Sequence, residues 1–252
     1  MQYFNILDVK VSAINLDKAI QWIKDIVKNK TKTYVCVAPV ATIVDCQKDL
    51  QYRKIVNNAG MVTPDGMPLV WFAKSKGYKD VSRTYGPDLL LRVLSVPGLR
   101  HFFYGGTKES NELLTKNIRE RFSNLDAVKG FSPNFQKIGD KESKEILDKI
   151  NKFNPDVLWI GLGSPKQDYW MFNHRDLLNV PVMIGIGAAF DFIAGIKKQA
   201  PKWIQKSGLE WVFRLISEPK RLWKRYLIGN SFFVYCLLKN WIVERFSWKK
   251  FS

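Results

Sequence analysis

The chain has 252 residues, 46% hydrophobic and 25% charged, enough for the core of one large α/β domain or two small ones and too apolar for wholesale disorder. Its 40 Lys and Arg against 23 Asp and Glu leave a formal net charge of +17, so its expected partners are anionic: phosphate groups, nucleic acid or an acidic membrane surface. Three scattered cysteines (Cys36, Cys46, Cys236) and two distant histidines (His101, His174) exclude a disulfide framework, a Cys-rich zinc site and an HExxH metal site.

The first residues, Met1-Gln2-Tyr3-Phe4-Asn5, lack the charged start and apolar run of a signal peptide, and a reducing, cytoplasmic setting is expected. Residues 17–28 repeat Ile20, Ile23 and Val27 on one helical face. Residues 34–38 read as a buried strand and 41–57 as one helix. Residues 61–63 form a strand entering the turn Pro64-Asp65-Gly66, and Gly86-Pro87-Asp88 opens a helix. The strand at 101–104 enters Gly105-Gly106-Thr107, followed by a helix over 109–122. Lys129-Gly130-Phe131 precedes a loop with Ser132-Pro133, and 142–153 is helical. The strand at 156–160 enters Gly161-Leu162-Gly163, and the strand at 182–186 enters Gly187. Strands alternating with helices and ending in glycines predict an α/β fold: a mostly parallel, Rossmann-like sheet with helices on both faces and its sites at the carboxyl ends of the strands.

The charge is uneven. Residues 196–252 hold 13 Lys or Arg against three acids, and five of the nine Trp (Trp203, Trp211, Trp223, Trp241, Trp248). We therefore expect a catalytic α/β unit over 1–195 and a basic, Trp-rich helical appendage over 196–252 that meets a membrane interface. The longest apolar tract, 226–243, is interrupted by Gly229, Asn230, Ser231, Lys239 and Asn240, which favours a peripheral helix over a span. A C-terminal helical hairpin packed on the body, with Trp as core, is the alternative.

Four segments carry chemistry. Asp65, between Pro64 and Gly66, would present a carboxylate able to take a proton from a substrate hydroxyl; capping of the turn or of the next helix is its bland role. Gly161-Leu162-Gly163-Ser164-Pro165-Lys166-Gln167-Asp168 starts like a dinucleotide fingerprint, but Pro165 and Lys166 break it; its glycines and a helix N-terminus suit a phosphate, with Lys166 adding charge and Gln167 a hydrogen bond. Around Gly187, small residues admit a ligand, and Asp191 between two Phe needs a partner, either a nucleotide or a neighbouring N–H. Arg221, Lys224 and Arg225 share a helical face behind Pro219, with Arg214 in the preceding element; they suit a diphosphate or form a solvated basic face. An Asp-x-Asp triplet, the usual metal ligand of nucleotide-sugar enzymes, is missing, which argues against metal dependence.

Together these segments resemble the WecG/TagA/CpsF family of bacterial glycosyltransferases (glycosyltransferase family 26). The resemblance rests on Thr63-Pro64-Asp65-Gly66, Arg83-Thr84-Tyr85-Gly86-Pro87-Asp88-Leu89, Phe103-Tyr104-Gly105-Gly106, the Gly161–Trp170 stretch, Gly187-Ala188-Ala189-Phe190-Asp191-Phe192 and Gly208-Leu209-Glu210-Trp211 with Arg214, Glu218-Pro219 and Arg221. It implies an inverting, metal-independent transfer, without cofactor, of an N-acetylmannosamine-type or related sugar from a UDP-sugar to a polyprenyl-diphosphate-linked sugar. Asp65 would be the general base and Arg83 a second catalytic residue, offsetting charge on the departing UDP; Arg83, Gln167 and Asp191 match pocket positions of the family. Gly66, Gly105, Gly161, Gly163, Pro165, Lys166 and Gly187 would line the substrate site. The appendage, with Arg214, Arg221 and Lys224 or Arg225, would close over it at the inner face of the cell membrane. Val37-Ala38-Pro39 stands where many members have a Thr-x-Asn pair, and Asp168 where Glu is usual, departures that bear on the sugar more than on the reaction. Two other readings fit less well: a nucleic-acid-binding protein without catalysis, disfavoured because no RNA or DNA motif is present, and a dinucleotide-dependent oxidoreductase, disfavoured by Pro165. Nucleic acid is thus not an expected partner, and the sequence leaves the oligomeric state open, a homo-oligomer included.

Overall fold

The computed structural model describes residues 1–122, 125, 127–133 and 140–248, of which 140–143 and 244–248 are described by backbone alone. It opens with an antiparallel hairpin, β1 (Tyr3–Ile6) and β2 (Val9–Ser12), paired from Tyr3↔Ser12 to Ile6↔Val9. The helix α1 (Leu16–Asn29), strand β3 (Thr33–Ala38), helices α2 (Val40–Lys48) and α3 (Leu50–Asn57), strand β4 (Met61–Pro64) and helices α4 (Met67–Ser75) and α5 (Gly86–Leu94) follow. Then come β5 (Arg100–Gly105), α6 (Lys108–Arg121), β6 (Ala127–Phe131), α7 (Asp140–Phe153), β7 (Val157–Gly161), α8 (Lys166–His174), β8 (Val182–Gly185) and α9 (Ala189–Ile193). The last residues form α10 (Lys202–Ser207), α11 (Glu210–Ser217), α12 (Pro219–Trp223), a π-helical turn (Lys224–Ile228) and α13 (Gly229–Trp248).

The main sheet has six parallel strands in the order β4-β3-β8-β7-β5-β6. Alternation along each strand feeds two cores. Tyr34, Cys36, Phe102, Tyr104, Leu158, Ile160 and Met183 pack on the side of the hairpin, α2, α3 and α8. Val35, Val37, Phe103, Trp159 and Ile184 pack on the side of α1, α5, α6 and α9. The chain leaves β3 toward β4 on one side and β5 toward β6 on the other, so the strand order reverses within the sheet, where ligand crevices of open α/β sheets form.

The structure differs from the sequence reading in three places. The helix expected over 41–57 is two helices, broken at Asp49, whose side chain caps α3 by accepting from the Gln51 and Tyr52 backbone N–H groups at 2.9 and 3.0 Å. The β1–β2 hairpin was not foreseen: its turn residues Leu7 and Asp8 both take positive φ (50° and 61°) without the Asn-Gly or Asp-Gly signal of such turns. The π-helical turn breaks the spacing that would align Arg221, Lys224 and Arg225.

The helix α13 settles the form of the C-terminal tract. It packs on α2 through Phe232, Phe233, Cys236 and Leu237, with Lys48 Nζ 5.5 Å from the Phe232 ring centre. Its other face exposes Val234, Tyr235, Leu238, Trp241 and Ile242. Trp203 and Trp223 are exposed as well and Trp211 is half-buried, so the described Trp of this region are not core; the Trp248 side chain lies outside the described residues. Among the described residues, no helix is long and apolar enough to cross a membrane.

Candidate active site

The carboxyl end of β4 delivers Asp65 beside the carboxyl end of β3. Ala38 and Pro64 are register partners, and the Asp65 N–H donates to the Ala38 carbonyl at 3.2 Å. Asp65 does not cap α4: Gly66 occupies the N-cap position, with no side-chain cap bond. The carboxylate is instead turned inward, Oδ1 lying 3.5 Å from Arg83 Nη2 as an ion pair without hydrogen-bond geometry.

Arg83 holds this turn from three sides. Its Nε donates to the Asp65 backbone carbonyl, its Nη1 lies 2.7 Å from Glu210 Oε2, and its guanidinium sits 4.1 Å over the Tyr85 ring. Glu210 begins α11, and Gly208 is what lets the chain reach the site: it ends α10 with a φ of +80°, and a Cβ there would stand 2.7 Å from the Trp71 ring. Arg83 is therefore shared between a carboxylate of the α/β sheet and one from the C-terminal helices.

The electrostatics follow. Burial pushes the Asp65 carboxyl above the usual carboxylate range; Glu210 pushes the same way, while Arg83, Arg214 and Arg225 pull it back. Arg83 is raised, because the two carboxylates outweigh its own burial. The Tyr85 hydroxyl is buried without a hydrogen-bond partner and is also raised, chiefly by burial, then by Glu210 and Asp65.

These groups open into a cavity of about 660 Å³ between α4, α11, the π-helical turn and α13. Asp65, Gly66, Arg83, Arg214 and Arg225, all foreseen, line it together, along with Pro39 of the stretch that departs from the family pattern. Arg214 also lies 5.6 Å over the Phe192 ring.

The other expected residues lie elsewhere. Gly105 has a φ of +122°, and a Cβ on it would stand 2.6 Å from the Gly161 backbone; one on Gly161 would meet the Phe190 ring at 2.6 Å. These two glycines thus serve close packing of the β5 and β7 ends. Gln167 is buried: its Oε1 accepts from the Gly163 N–H and its Nε2 donates to Ser164 Oγ, both at 3.2 Å, and it packs against Gly187. Pro165 and Lys166 are exposed at the start of α8. Behind them, Tyr52 donates to Asp168 Oδ2 and Tyr169 to Asp49 Oδ2, both at 2.7 Å, tying α8 to α3.

The cationic run is divided. Asp191 accepts from Ser110 Oγ at 2.9 Å and pairs with Lys197 at 3.0 Å; Lys197 lies 3.4 Å from Glu218, which takes Arg221 Nε at 2.7 Å. Arg221 is thereby drawn into an ion-pair chain and Lys224 is exposed over the Trp223 ring, whereas Arg225, like Arg214, lines the cavity.

Sequence reasoning assigned no role to Glu210, Tyr85 or Trp71. Glu210 carried two signals: it stands in the Gly208-Leu209-Glu210-Trp211 stretch of the family resemblance, and it is one of three acids among the last 57 residues, which hold 13 cations.

The glycosyl transferase WecG/TagA/CpsF family profile matches residues 4–247. A relative from Bacillus spizizenii is 30% identical over 186 residues, 73% of this chain and 70% of its own length; one from Bacillus subtilis strain 168 is 31% identical over 183 residues, 71% and 69%. A third, from Staphylococcus aureus strain MRSA252, is 28% identical over 174 residues, 68% and 66%. All three bear the name N-acetylglucosaminyldiphosphoundecaprenol N-acetyl-beta-D-mannosaminyltransferase. A six-stranded parallel sheet, an inward carboxylate at a strand end and a profile match over nearly all of the sequence agree: the chain belongs to the WecG/TagA/CpsF family of glycosyltransferases and is a hexosyl-transferring enzyme of cell-surface polysaccharide synthesis.

Proposed function

We propose that the protein transfers an N-acetylmannosamine-type sugar from a UDP-sugar to a polyprenyl-diphosphate-linked sugar, with inversion and without a metal. Asp65 carries the reading: a half-buried carboxylate, in a largely apolar cavity, among Arg83, Arg214 and Arg225, in a chain whose relatives are named for such a transfer. The acceptor hydroxyl gives its proton to Asp65 as its oxygen attacks the anomeric carbon. The bond from that carbon to the diphosphate oxygen breaks on the opposite face, and UDP leaves as an anion. The raised proton affinity of Asp65 makes it a stronger base once ionised.

Arg83 offsets the charge growing on the leaving diphosphate, the part a divalent ion plays in other nucleotide-sugar enzymes. Donor phosphates rest against the turns at Gly163 and Gly187 and the α8 N-terminus near Lys166, with Gln167 bracing the Gly163 turn. The enzyme works at the inner face of the membrane. Exposed Trp203, Ile216, Trp223 and Trp241 enter the interface, and exposed Lys202, Lys206, Lys220 and Lys224 meet anionic headgroups.

A panel of UDP-sugars, offered with a short-chain lipid-diphosphate N-acetylglucosamine acceptor, tests this. Transfer from UDP-N-acetylmannosamine that persists in EDTA is expected. Failure with every donor, or full loss of transfer on chelation, overturns it.

A further inference from the structure

The cavity is built unlike a sugar site over most of its surface. Away from the Asp65–Arg83–Arg214–Arg225 cluster, its walls are mostly apolar, with Trp71 and Phe72 of α4 facing Phe233, Val234 and Leu237 of α13 and with Ser75, Tyr226 and Asn230 among the few polar side chains there. Sugars are bound chiefly through hydrogen bonds, with an aromatic ring as an occasional stacking platform, and the apolar wall running out along Val234 and Leu237 offers neither. Two wall residues are also surface residues: Trp71 is 52% exposed and Val234 53%. The cavity therefore has a lip on the outside of the protein, between α4 and α13.

That lip is continuous with the exposed apolar side of α13, where Tyr235, Leu238 and Trp241 stand beside Val234. An occupant must match both ends at once: an apolar chain at the lip and a multiply charged anion inside, where three arginines face Asp65 and Glu210. A volume of about 660 Å³ belongs to the class that encloses a drug-sized ligand, so it takes the start of a long chain and leaves the remainder outside.

We propose that the cavity between α4 and α13 seats the first isoprene units of a prenyl diphosphate, which enters from the lipid between Trp71 and Val234 with its diphosphate toward Arg214 and Arg225. This rests on the reading above that the acceptor is polyprenyl-linked, and it adds where the chain lies and that the protein reads it. Chain recognition then sets acceptor affinity, and the C-terminal helices form one wall of the acceptor site as well as a surface for the membrane. The bound chain also closes the apolar side of the cavity, keeping water from competing with the acceptor hydroxyl near Asp65.

Calorimetry on the full chain tests the seat without requiring turnover. The probes are farnesyl diphosphate, inorganic diphosphate and dodecyl diphosphate, each below its aggregation concentration. Farnesyl diphosphate is expected to bind at least tenfold more tightly than inorganic diphosphate, a difference of about 1.4 kcal/mol. Val234→Trp, at a position 53% exposed, should remove that gain and leave inorganic diphosphate binding unchanged. Trp71→Ala, on the opposite lip, should reduce it as well.

Equal binding of farnesyl and inorganic diphosphate overturns the seat, as does a gain that survives both variants. Dodecyl diphosphate binding as tightly as farnesyl diphosphate overturns the choice of an isoprenoid over any alkyl chain. UDP binding, measured on the same samples, separates the two readings. If UDP binds but the prenyl chain adds nothing, the seat is wrong and the transferase reading stands; if UDP does not bind, the donor reading fails.

Discussion

Replacing Asp65 by Asn separates catalysis from folding. The substitution keeps the shape of the side chain and removes its ability to take a proton. Loss of a general base costs roughly 10²–10⁴-fold in rate, or about 3–5 kcal/mol of barrier. The effect on stability has the opposite sign. Burial outweighs the arginines and raises the Asp65 carboxyl above its usual value of 3.8, so the folded state binds this proton more readily than the unfolded chain. Ionised Asp65 therefore costs the fold stability at pH 7, a cost that disappears as pH falls through the raised value. Asn carries no charge to desolvate, so the variant should melt no lower than the parent; each 1 kcal/mol regained raises Tm by about 2–4 °C for a chain of this size. The assay pairs kcat at saturating acceptor with thermal unfolding and UDP affinity on the same preparation. A kcat within tenfold of the parent refutes the base role. A lost kcat accompanied by a fall of several degrees in Tm refutes the electrostatic account, because the carboxylate would then be holding the turn together.

Glu210→Gln removes the second claimant on Arg83 and a like charge near Asp65, a group also faced by Arg214, Arg225 and the hydroxyls of Tyr85 and Tyr226. Asp65 should ionise more easily, and the acid limb of the pH profile of kcat/KM should move to lower pH; an unmoved limb refutes the coupling. His101 is fully buried, accepts from Trp159 Nε1 at 3.2 Å, and is held down from 6.5 to about 4 by burial. The unfolded chain takes up that proton first as pH falls below 6.5, so the fold should lose about 3 kcal/mol by pH 4 through this group. His101→Gln keeps the acceptor and does not titrate; in urea unfolding it should flatten that slope relative to the parent, and parallel slopes would contradict the assignment. Replacing the exposed Trp203 and Ile216 together by Ser should weaken sedimentation with anionic vesicles and leave transfer to a soluble acceptor unchanged. Unchanged sedimentation would place the membrane face elsewhere.

The α/β alternation was legible along the chain because each signal is local. The apolar run of β3, the Pro-Asp-Gly turn after β4 and the glycines after β5, β7 and β8 announce themselves within a few residues. The catalytic carboxylate candidate was legible for the same reason, and so was the likeness to a family. The β1–β2 hairpin escaped because Leu7 and Asp8 adopt left-handed φ without glycine, a conformation that its neighbours impose: Asn57 of α3 accepts from the Lys10 N–H and donates to the Asp8 carbonyl, both at 2.9 Å.

The cationic cluster shows the boundary most clearly. By composition, Arg214, Arg221, Lys224 and Arg225 are equivalent charges near one another in the chain. Glu218 claims Arg221, Lys224 lies exposed over the Trp223 ring, and Arg225 alone of the last three lines the cavity. Glu210 lies 127 positions after Arg83, so no window of sequence shows that they pair. The amino-acid order by itself determined which elements form and which residue types stand at strand ends, since backbone preference and hydrophobic period act over a few residues. Only tertiary packing decided which charges share a guanidinium and which apolar faces enclose a cavity, since ion pairing and desolvation depend on distance in space and not on separation along the chain.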